Sequence, residues 1–258
     1  MDDKTKKKIE IMQRAGLILG QVMDEIVDYV KEGVTELDID KFAERRILEL
    51  GGEPGFKKVD GYRHTICAST NDVVVHGIPK GKKLVNGDIF GFDCGVYLEG
   101  YHTDMAESVI VGGQSDSSRK KFLEVGKKSL FSAISEAKPG NRVGNISKAM
   151  QQGIESNGYS IVKSLVGHGV GKELHEEPEI PGYLEGKIEN TPEIRVGMTL
   201  AIEVIYNLGA ANVVFEGIDD WTIVSEDGSL SGLFERTIYV SENGPRLITK
   251  LKGDPINL

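Results

Sequence analysis

Cysteine is nearly absent from this sequence, which has only Cys67 and Cys94 among its 258 residues. Two cysteines cannot build the disulfide scaffold of a small secreted protein, so we expect a reducing, cytoplasmic compartment. Long apolar runs are also missing, since no segment reaches the roughly 18 uncharged residues that a membrane helix requires. The N-terminal segment MDDKTKKKIE is charged and leads into an amphipathic pattern, unlike a signal peptide. We therefore expect a protein without a membrane role.

Positive charge is scarce as well, with 31 Lys and Arg against 40 Asp and Glu and a formal net charge of −9. The pI is near 5.2. Proteins that bind nucleic acid through its phosphates need a basic surface, so we expect no direct nucleic-acid function. The hydrophobic fraction of 39% and the charged fraction of 28% are typical of an ordinary globular protein.

Helical spacing opens the chain. Apolar residues recur there in steps of three and four, which predicts a helix with one buried face: Met12, Ala15, Leu19, Val22 and Ile26. Gly33 is predicted to end this helix, and Thr35 is predicted to cap a second one. The apolar side of the second helix carries four residues before Gly51 ends it: Ile39, Ala43, Ile47 and Leu50.

The chain then changes to β-forming residues from about Thr65. The segment DIFGFDCGVYLEGYHTDMAESVIVG predicts a hairpin that turns near Leu98, Glu99 and Gly100. A second helical block follows, with Leu123, Leu130, Ile134 and Ala137 on one face and Pro139-Gly140 at its end. After Gly158 the chain is again β-rich, in SIVKSLVGHGVG, MTLAIEVIYN, WTIVSE and FERTIYV.

The two helical blocks match each other at an offset of 107 residues. This offset superimposes Gly33 on Gly140 and Gly51 on Gly158, and the residues between them include Ile39 on Ile146, Lys41 on Lys148 and Ile47 on Ile154. So many coincidences at one offset favour a duplicated helix–helix–strand unit. The alternative is a chance alignment of two ordinary amphipathic helices.

Two halves with helices first and strands afterwards predict an α+β architecture, in which helices cover one face of a mostly antiparallel sheet. We predict a single domain over residues 1–258, with halves at about 6–115 and 117–250. A site on the open face, at the junction of the halves, would collect ligands from both.

Two aspartates lie on the arms of the predicted hairpin, Asp93 on the first and Asp104 on the second. Because residues two apart in a strand share a face, Asp93 shares its face with Gly91 and Gly95. The glycines predict open space above Asp93, and a buried carboxylate there is costly unless a cation is present. The alternative is that both aspartates are surface acids of a hairpin.

The segment GHGVGKELHEEP places His168 between two glycines at the end of an apolar strand, with His175 seven residues later. Glycine lets backbone approach a ligand closely, but a lone histidine is more often a structural residue. A phosphate-binding loop is only weakly matched, because no Ser or Thr follows Lys172. The zinc-protease pattern HExxH is not matched, because its second histidine is missing.

Two glutamates are embedded in strands, Glu203 in TLAIEVIYN and Glu235 at the start of ERTIYV. Acids near other acids repel each other and have raised pKa values unless cations intervene. The alternative for Glu235 is an ion pair with Arg236, although adjacent residues of a strand point to opposite faces.

Together these residues form a set of four carboxylates and one imidazole: Asp93, Asp104, His168, Glu203 and Glu235. Such a set suits two divalent cations about 3.5–4 Å apart, and its oxygen-rich character favours Mn²⁺ or Fe²⁺ over a thiolate zinc site. Two cations would lower the pKa of a bridging water from about 15.7 towards 7.

Five ordered segments resemble the type I methionine aminopeptidases, which have the pita-bread fold: CASTNDVVVHGIP, DCGVYLEGYHTD, GHGVGKELHEEP, GMTLAIE and FERT. The resemblance covers about residues 6 to 248. It implies removal of the N-terminal methionine from nascent polypeptides by a metal-bridging hydroxide at a dinuclear Mn, Fe, Co or Zn site. By motif position, Asp93 would chelate one metal, Asp104 and Glu235 would bridge both, and His168 and Glu203 would complete the ligand set of the second metal.

The resemblance also assigns substrate-binding residues. It places His76 and His175 at the substrate, and it makes Glu203 the proton shuttle. A neutral histidine N–H is a suitable donor to the developing oxyanion, and a carboxylate can move a proton to the leaving amine. Three residues would line the methionine pocket by position: Tyr62, Cys67 and Trp221. Simple core packing is the alternative for Trp221.

The sequence departs from the pattern of these enzymes at five positions without losing a ligand. Val204 replaces a usual proline, Arg236 a common histidine and Leu174 a frequent aromatic, while Phe56 and Val59 stand where small or aromatic pocket residues are common. These differences bear on the shape of the pocket and on the rate.

Two other functions remain possible at this point. An Xaa-Pro peptidase would share the five ligands but generally carries an N-terminal domain, whereas here the first helix begins almost at Met1. A metal-free binding module of the same fold would have lost ligands, and all five are present. We expect a monomer, with a transient ribosome contact through the catalytic domain as a further possibility.

Overall fold

The helices occur in two pairs in the computed structural model, which describes residues 1–113, 116–217 and 219–255. The first pair is α1 (Asp3–Tyr29) with α2 (Glu36–Glu49), and the second is α3 (Ser117–Ser135) with α4 (Val143–Glu155). Single 3₁₀ turns span Phe56–Lys58 and Ile188–Asn190. No helix in these ranges combines the length and the apolar character that crossing a bilayer requires.

The first helix pair buries the faces predicted from its sequence. Five apolar residues of α1 are fully buried: Met12, Ala15, Leu19, Val22 and Ile26. The prediction that Gly33 ends α1 was wrong, because the chain leaves helical geometry at Val30 (ψ 115°). Gly33 instead forms a turn at φ +87°, and its N–H donates to the carbonyl of Leu84.

The start of α2 is confirmed as predicted. The Thr35 hydroxyl accepts from the backbone N–H of Asp38, and the Asp38 carboxylate accepts from the backbone N–H of Thr35. This reciprocal pair satisfies two of the free N–H groups at the helix start. Gly51 follows the helix at φ +85°, a conformation that favours glycine.

Within the described ranges the strands form three antiparallel sheets. They are β1 (Glu53–Pro54), β2 (Ile66–Thr70), β3 (Val73–Val75), β4 (Ile89–Leu98), β5 (Tyr101–Ile110), β6 (Ser160–Ile161), β7 (Val166–Gly169), β8 (Glu176–Pro181), β9 (Thr199–Asn207), β10 (Val213–Phe215), β11 (Ile223–Ser225), β12 (Ser231–Ser241) and β13 (Gly244–Leu247). One sheet has the order β1-β4-β2 with β5 on β4. The largest has the order β13-β12-β9-β7-β8 with β6 on β9, and the third is β10-β11-β3. The predicted hairpin is β4–β5, and its turn at Glu99 and Gly100 has positive φ at both residues.

Strands β5 and β12 lie side by side where the two larger sheets meet, yet no ladder joins them in the described part of the chain. Side-chain hydroxyls are inserted between them instead. The Thr237 hydroxyl accepts from the N–H of Asp104 (2.9 Å) and donates to the carbonyl of Asp104 (2.8 Å). The Ser108 hydroxyl does the same with the N–H (3.0 Å) and carbonyl (2.8 Å) of Leu233. We call this junction of β5 and β12 the seam.

The helices cover one face of these sheets, as predicted. The first pair packs on β2, β4 and β5 around Leu19, Ile39 and Phe92, and the second packs on β9 and β12 around Leu130 and Ile202. Alternation along the strands therefore directs every second residue to the opposite face.

The duplication is visible in the turns that precede the helices and the long strands. Gly33 donates its N–H to the carbonyl of Leu84, and Gly140 donates its N–H to the carbonyl of Ile194. Both glycines have φ near +86° to +87°. The chain therefore has two pseudo-symmetric halves, while the single-domain boundaries and the division at about residue 116 stay a prediction.

Candidate metal and substrate site

One cavity, of about 520 Å³, is lined by all ten residues that the sequence predicts for the site. These residues come from both halves, six from six different strands and four from loops: Tyr62, Cys67, His76, Asp93, Asp104, His168, His175, Glu203, Trp221 and Glu235. The neighbours of Asp93 in β4, Phe92 and Cys94, are buried in the helix-covered core. The cavity therefore lies on the face opposite the helices.

Strand register places three of the acids in one row across four strands. Asp93 of β4 pairs with Ala106 of β5, and Glu235 of β12 pairs with Glu203 of β9. The seam contacts on either side align Ala106 with Glu235. Ala106 is the small residue of this row, so it leaves the space between Asp93 and Glu235 open.

A second row, two residues along the same strands, brings Asp104 towards His168. Asp104 of β5 lies against Thr237 of β12. Thr237 pairs with Ala201 of β9, and Ala201 in turn pairs with His168 of β7. The small residues in the middle let the outer side chains approach, and His168 Nε2 lies 4.0 Å from Asp104 Oδ2.

Asp104, His168 and Glu235 form the tightest group, with one ligand atom from each within 4.8 Å of the others. The His168 Nδ1 lies 2.9 Å from its neighbour's carbonyl oxygen, at Gly169, and we assign the ring proton to this nitrogen. Nε2 then keeps its lone pair for a metal, since a ligating histidine usually donates its other N–H to such a partner. Burial lowers the pKa of His168 to about 4, which keeps the ring neutral at pH 7.

The clustered carboxyls have strongly raised pKa values. Burial raises the pKa of Asp104 to about 7, and burial together with the charge of Asp104 raises the pKa of Glu203 to about 8. Burial and the neighbouring acids also raise the pKa values of Asp93 and Glu235 well above their ordinary range. The protein's own positive charges therefore do not compensate the negative charge of these carboxylates. Each carboxyl would ionise more readily beside a cation.

The surroundings of Asp93 give an independent test of whether a cation fits. Its Oδ1 is buried and has no hydrogen-bond partner among the described residues, although buried carboxylate oxygens are normally satisfied. The predicted open space above Asp93 exists, because Asp93 lines the cavity, but its flanking glycines do not create it. A Cβ at Gly95 would lie 2.9 Å from Phe56, and one at Gly91 would lie 3.3 Å from Ser69 and Ser108. The unpartnered oxygen belongs to a residue that lines the cavity, and the donor set fits divalent cations.

His76 and His175 lie at the same cavity. His76 directly follows β3 and has a positive φ of 55°, a conformation that is uncommon outside glycine. The His175 ring packs edge-to-face on the His168 ring, with centroids 4.4 Å apart. Burial lowers the pKa values of both His76 and His175, so both are neutral N–H donors at pH 7.

An apolar wall adjoins the carboxylates. Phe56, Tyr62, Cys67 and Leu174 form a buried cluster, and Val59, Ile78 and Trp221 pack against it. The Tyr62 and Trp221 rings meet edge-to-face at 5.0 Å, and the Tyr62 hydroxyl donates to the carbonyl of Ile66. Trp221 is half-buried and lines the cavity, so simple core packing is not its environment.

Several lining residues were missed from the sequence: Val75, Ser164, Leu165, Val166, Glu176, Glu177, Glu179 and Ile205. Ile205 could have been found, because it lies two residues after Glu203 on the same strand face. Ser164 and Leu165 lie in the short connection before β7. A connection has no alternation of faces from which their position could be predicted.

Two of the five departures lie on the helix-covered face. Val204 is fully buried in the core of the second half. Arg236 is also fully buried, and it pairs with Glu107 and Asp254. The alternative of an ion pair between Glu235 and Arg236 was therefore wrong, because the two side chains lie on opposite faces of β12.

Comparison with known proteins gives a family match over most of the chain. The model of metallopeptidase family M24 matches residues 10–242. Methionine aminopeptidase 1 of Bacillus subtilis is 42% identical over 248 residues, covering 96% of this chain and 98% of the relative. The methionine aminopeptidase of Clostridium perfringens is 38% identical over 250 residues, with the same two coverages.

Solved structures agree with the sequence comparison. The methionine aminopeptidase of Thermotoga maritima has a TM-score of 0.90 and 38% identity, covering 95% of this chain and 97% of that one. The prolidase of Pyrococcus furiosus has a TM-score of 0.76 at 23% identity, and the match covers 95% of this chain but only 64% of the prolidase. The prolidase therefore supports the shared fold alone.

Proposed function

This chain belongs to metallopeptidase family M24, and we propose that it is an aminopeptidase that uses divalent metal to remove the N-terminal methionine of polypeptides. The observation that carries this function is the convergence of four carboxylates and one imidazole beside an apolar wall. The first group provides ligands for cations, and the second provides a place for a single apolar side chain.

We propose two cations, with iron or manganese favoured by the oxygen-rich donor set. Asp93 would hold one ion, Asp104 and Glu235 would be shared by both, and His168 and Glu203 would be further ligands of the second ion. When bound, such ions supply a Lewis acid for the scissile carbonyl and lower the pKa of water to near 7. The unpartnered Oδ1 of Asp93 and the free Nε2 of His168 support these two assignments.

The remaining chemistry falls to side chains of the cavity. His76 and His175, both neutral, would donate hydrogen bonds to the carbonyl oxygen and stabilise its developing negative charge. Glu203 would take the proton of the attacking water and return it to the leaving amine. Bound cations would keep Glu203 ionised, and an ionised carboxylate within hydrogen-bond reach can accept a proton and return it.

The apolar wall would hold the methionine side chain. Tyr62, Cys67 and Trp221 offer sulfur and ring edges, which make favourable contacts with a thioether. Phe56 and Leu174 belong to the same buried cluster and would line the same pocket. The free amino group of the substrate would lie beside the carboxylates, and cleavage would stop after one residue.

We further propose that the substrates are nascent polypeptides in the cytoplasm, that the enzyme is a monomer, and that any ribosome contact uses this domain. Both cysteines are free and buried, which supports a reducing compartment. Sedimentation with and without ribosomes would test the last two points.

Peptide hydrolysis after controlled metal loading tests the function. The chain is stripped with a chelator, reloaded with Mn²⁺, Fe²⁺ or Co²⁺, and assayed on Met-Ala-Ser and Ala-Pro-Ser. We expect release of methionine from the first peptide only, and only after reloading. Cleavage of Ala-Pro-Ser alone would indicate an Xaa-Pro peptidase. A chain that cleaves neither peptide and binds no cation would indicate a binding module.

A further inference from the structure

The seam between β5 and β12 has a gap in its hydrogen bonding at the row that holds the metal ligands. On either side the Thr237 and Ser108 hydroxyls provide both a donor and an acceptor. At the row between them the carbonyls of Ala106 and Glu235 face a single donor group from the side chain of Arg236. Without that donor, two buried carbonyl oxygens would lose a partner, which is costly.

Arg236 reaches this gap from the helix-covered face. Its Nη1 donates to the carbonyl of Ala106 (2.9 Å) and to the carbonyl of Glu235 (2.7 Å), one on each side of the seam. Ala106 is the register partner of Asp93 in β5. The same nitrogen therefore ties the backbone of one ligand, Glu235, to the strand that pairs with another, Asp93.

The other donors of the guanidinium are also used. Nε donates to Asp254 (2.7 Å), and Nη2 donates to Glu107 (2.5 Å) and Asp254 (3.3 Å). Lys127 of α3 contacts both of these acids as well, at 3.1 and 3.5 Å, so the buried group has two cations and two anions. All five N–H donors of Arg236 are thus occupied, and a lysine, with three donors, cannot replace them.

We propose that Arg236 is a positioning residue for the metal site, in that its Nη1 sets the spacing of β5 and β12 and so the distance from Glu235 to the aspartates. This role rests on the proposed function, because it takes these acids as metal ligands. The nitrogens of the guanidinium have different tasks in this role. Nη1 positions the ligands, whereas Nε and Nη2 hold the acids Glu107 and Asp254. Arg236 does not line the cavity, so its effect would be exerted through Glu235 and Ala106.

Calorimetric Co²⁺ titration of the metal-free full chain tests this role, with thermal unfolding and peptide kinetics on the same samples. Arg236→Lys keeps the charge but lacks donors, and we expect its Co²⁺ affinity to fall about 10- to 100-fold, the range for groups that orient metal ligands. We expect kcat on Met-Ala-Ser to fall with it, while KM changes less than about threefold.

A second variant keeps the test valid if the Arg236→Lys chain does not fold. Arg236→Met combined with Glu107→Gln removes one cation and one anion, so no buried charge is left without a counter-charge. It also removes the Nη1 donor, and we expect the same loss of Co²⁺ affinity. Asp254→Asn is the matched control, because it weakens the far side of the guanidinium and leaves Nη1 in place. Its melting temperature should fall while its Co²⁺ affinity stays within about threefold of the parent.

The outcomes distinguish this inference from the proposed function. A parent chain that binds no Co²⁺ would overturn both. A parent chain that binds Co²⁺ and cleaves the peptide, together with an unchanged affinity in the Arg236 variants, would overturn the positioning role alone. Equal losses of affinity in Asp254→Asn and Arg236→Lys would also overturn it, because the network would then act only through general stability.

Discussion

Raising the pH should destabilise the metal-free chain, and adding metal should remove this dependence. The folded-state pKa of Glu203 is raised to about 8 from an ordinary 4.5, and those of Asp93 and Glu235 are raised well above their ordinary values. Between the unfolded and folded pKa values, the folded chain binds more protons than the unfolded chain. The free energy of unfolding therefore falls as pH rises through that interval.

The size of the effect follows from the number of carboxyls that titrate. Each carboxyl contributes about 1 kcal/mol per pH unit while it is protonated in the folded state and ionised in the unfolded state. The histidines act in the opposite direction at lower pH, because burial lowers the pKa of His168 to about 4 from 6.5. The useful window is therefore pH 7 to 8, above the ordinary histidine pKa, where the acids dominate.

Urea unfolding at several pH values in this window, with a chelator or with saturating Mn²⁺, measures the effect. We expect the chelated chain to lose stability with rising pH, and Glu203→Gln to reduce that slope by about 1 kcal/mol per pH unit. The loaded chain should lack the slope, because metal keeps the carboxylates ionised. A chelated chain whose stability is constant or increases from pH 7 to 8 would refute the reasoning.

Three further predictions concern the same acids and the histidine beside them. Co²⁺ binding at pH 7 should release roughly two to three protons per chain, because metal displaces protons from the carboxyls whose pKa values are raised. Calorimetry in buffers of different ionisation enthalpy measures this release, and a release of less than one proton would contradict the prediction. Asp104→Asn should abolish hydrolysis of Met-Gly-Ser while the circular dichroism spectrum is unchanged, because a shared ligand charge is lost, and near-normal turnover would disprove the shared role. His175→Ala should lower kcat about 100- to 1,000-fold, the cost of removing an oxyanion donor, with metal content unchanged; loss of the metal would make His175 a ligand instead.

Most of the fold could be predicted because its local signals are strong. The seven-residue spacing of Met12, Leu19 and Ile26 places them on one face of a helix. The capping pair of Thr35 and Asp38 marks a helix start. The end of α1 was wrong because glycine marks a turn of positive φ but not where the helix before it stops. Gly33 lies in a turn that is held by Leu84 from a distant part of the chain.

The chemistry of the site could be predicted from residue types, but its geometry could not. Acids in apolar strands, such as Glu203, indicate a site because burial without a cation is unfavourable. Which acids lie in one row depends on strand register and on the contacts across the seam, and these involve residues far apart, such as Asp104 and Thr237. The origin of the open space above Asp93 was misjudged for the same reason, because Phe56 from another part of the chain occupies the position beside Gly95.

The role of Arg236 shows where reasoning along one strand stops. Alternation correctly places Arg236 on the face opposite Glu235, which excludes a side-chain ion pair between them. Its actual partners, Glu107 and Asp254, come from β5 and from the segment after β13. Neither partner carries a local signal, so only the folded chain reveals the buried group.

Anomalous diffraction from crystals soaked in Mn²⁺, recorded on both sides of the manganese absorption edge, tests the central claim most directly. We expect two peaks in the cavity, the first contacting Asp93, both contacting Asp104 and Glu235, and the second also contacting His168 and Glu203. Peaks on the outer surface only, or a cavity without any peak at saturating Mn²⁺, would contradict the account.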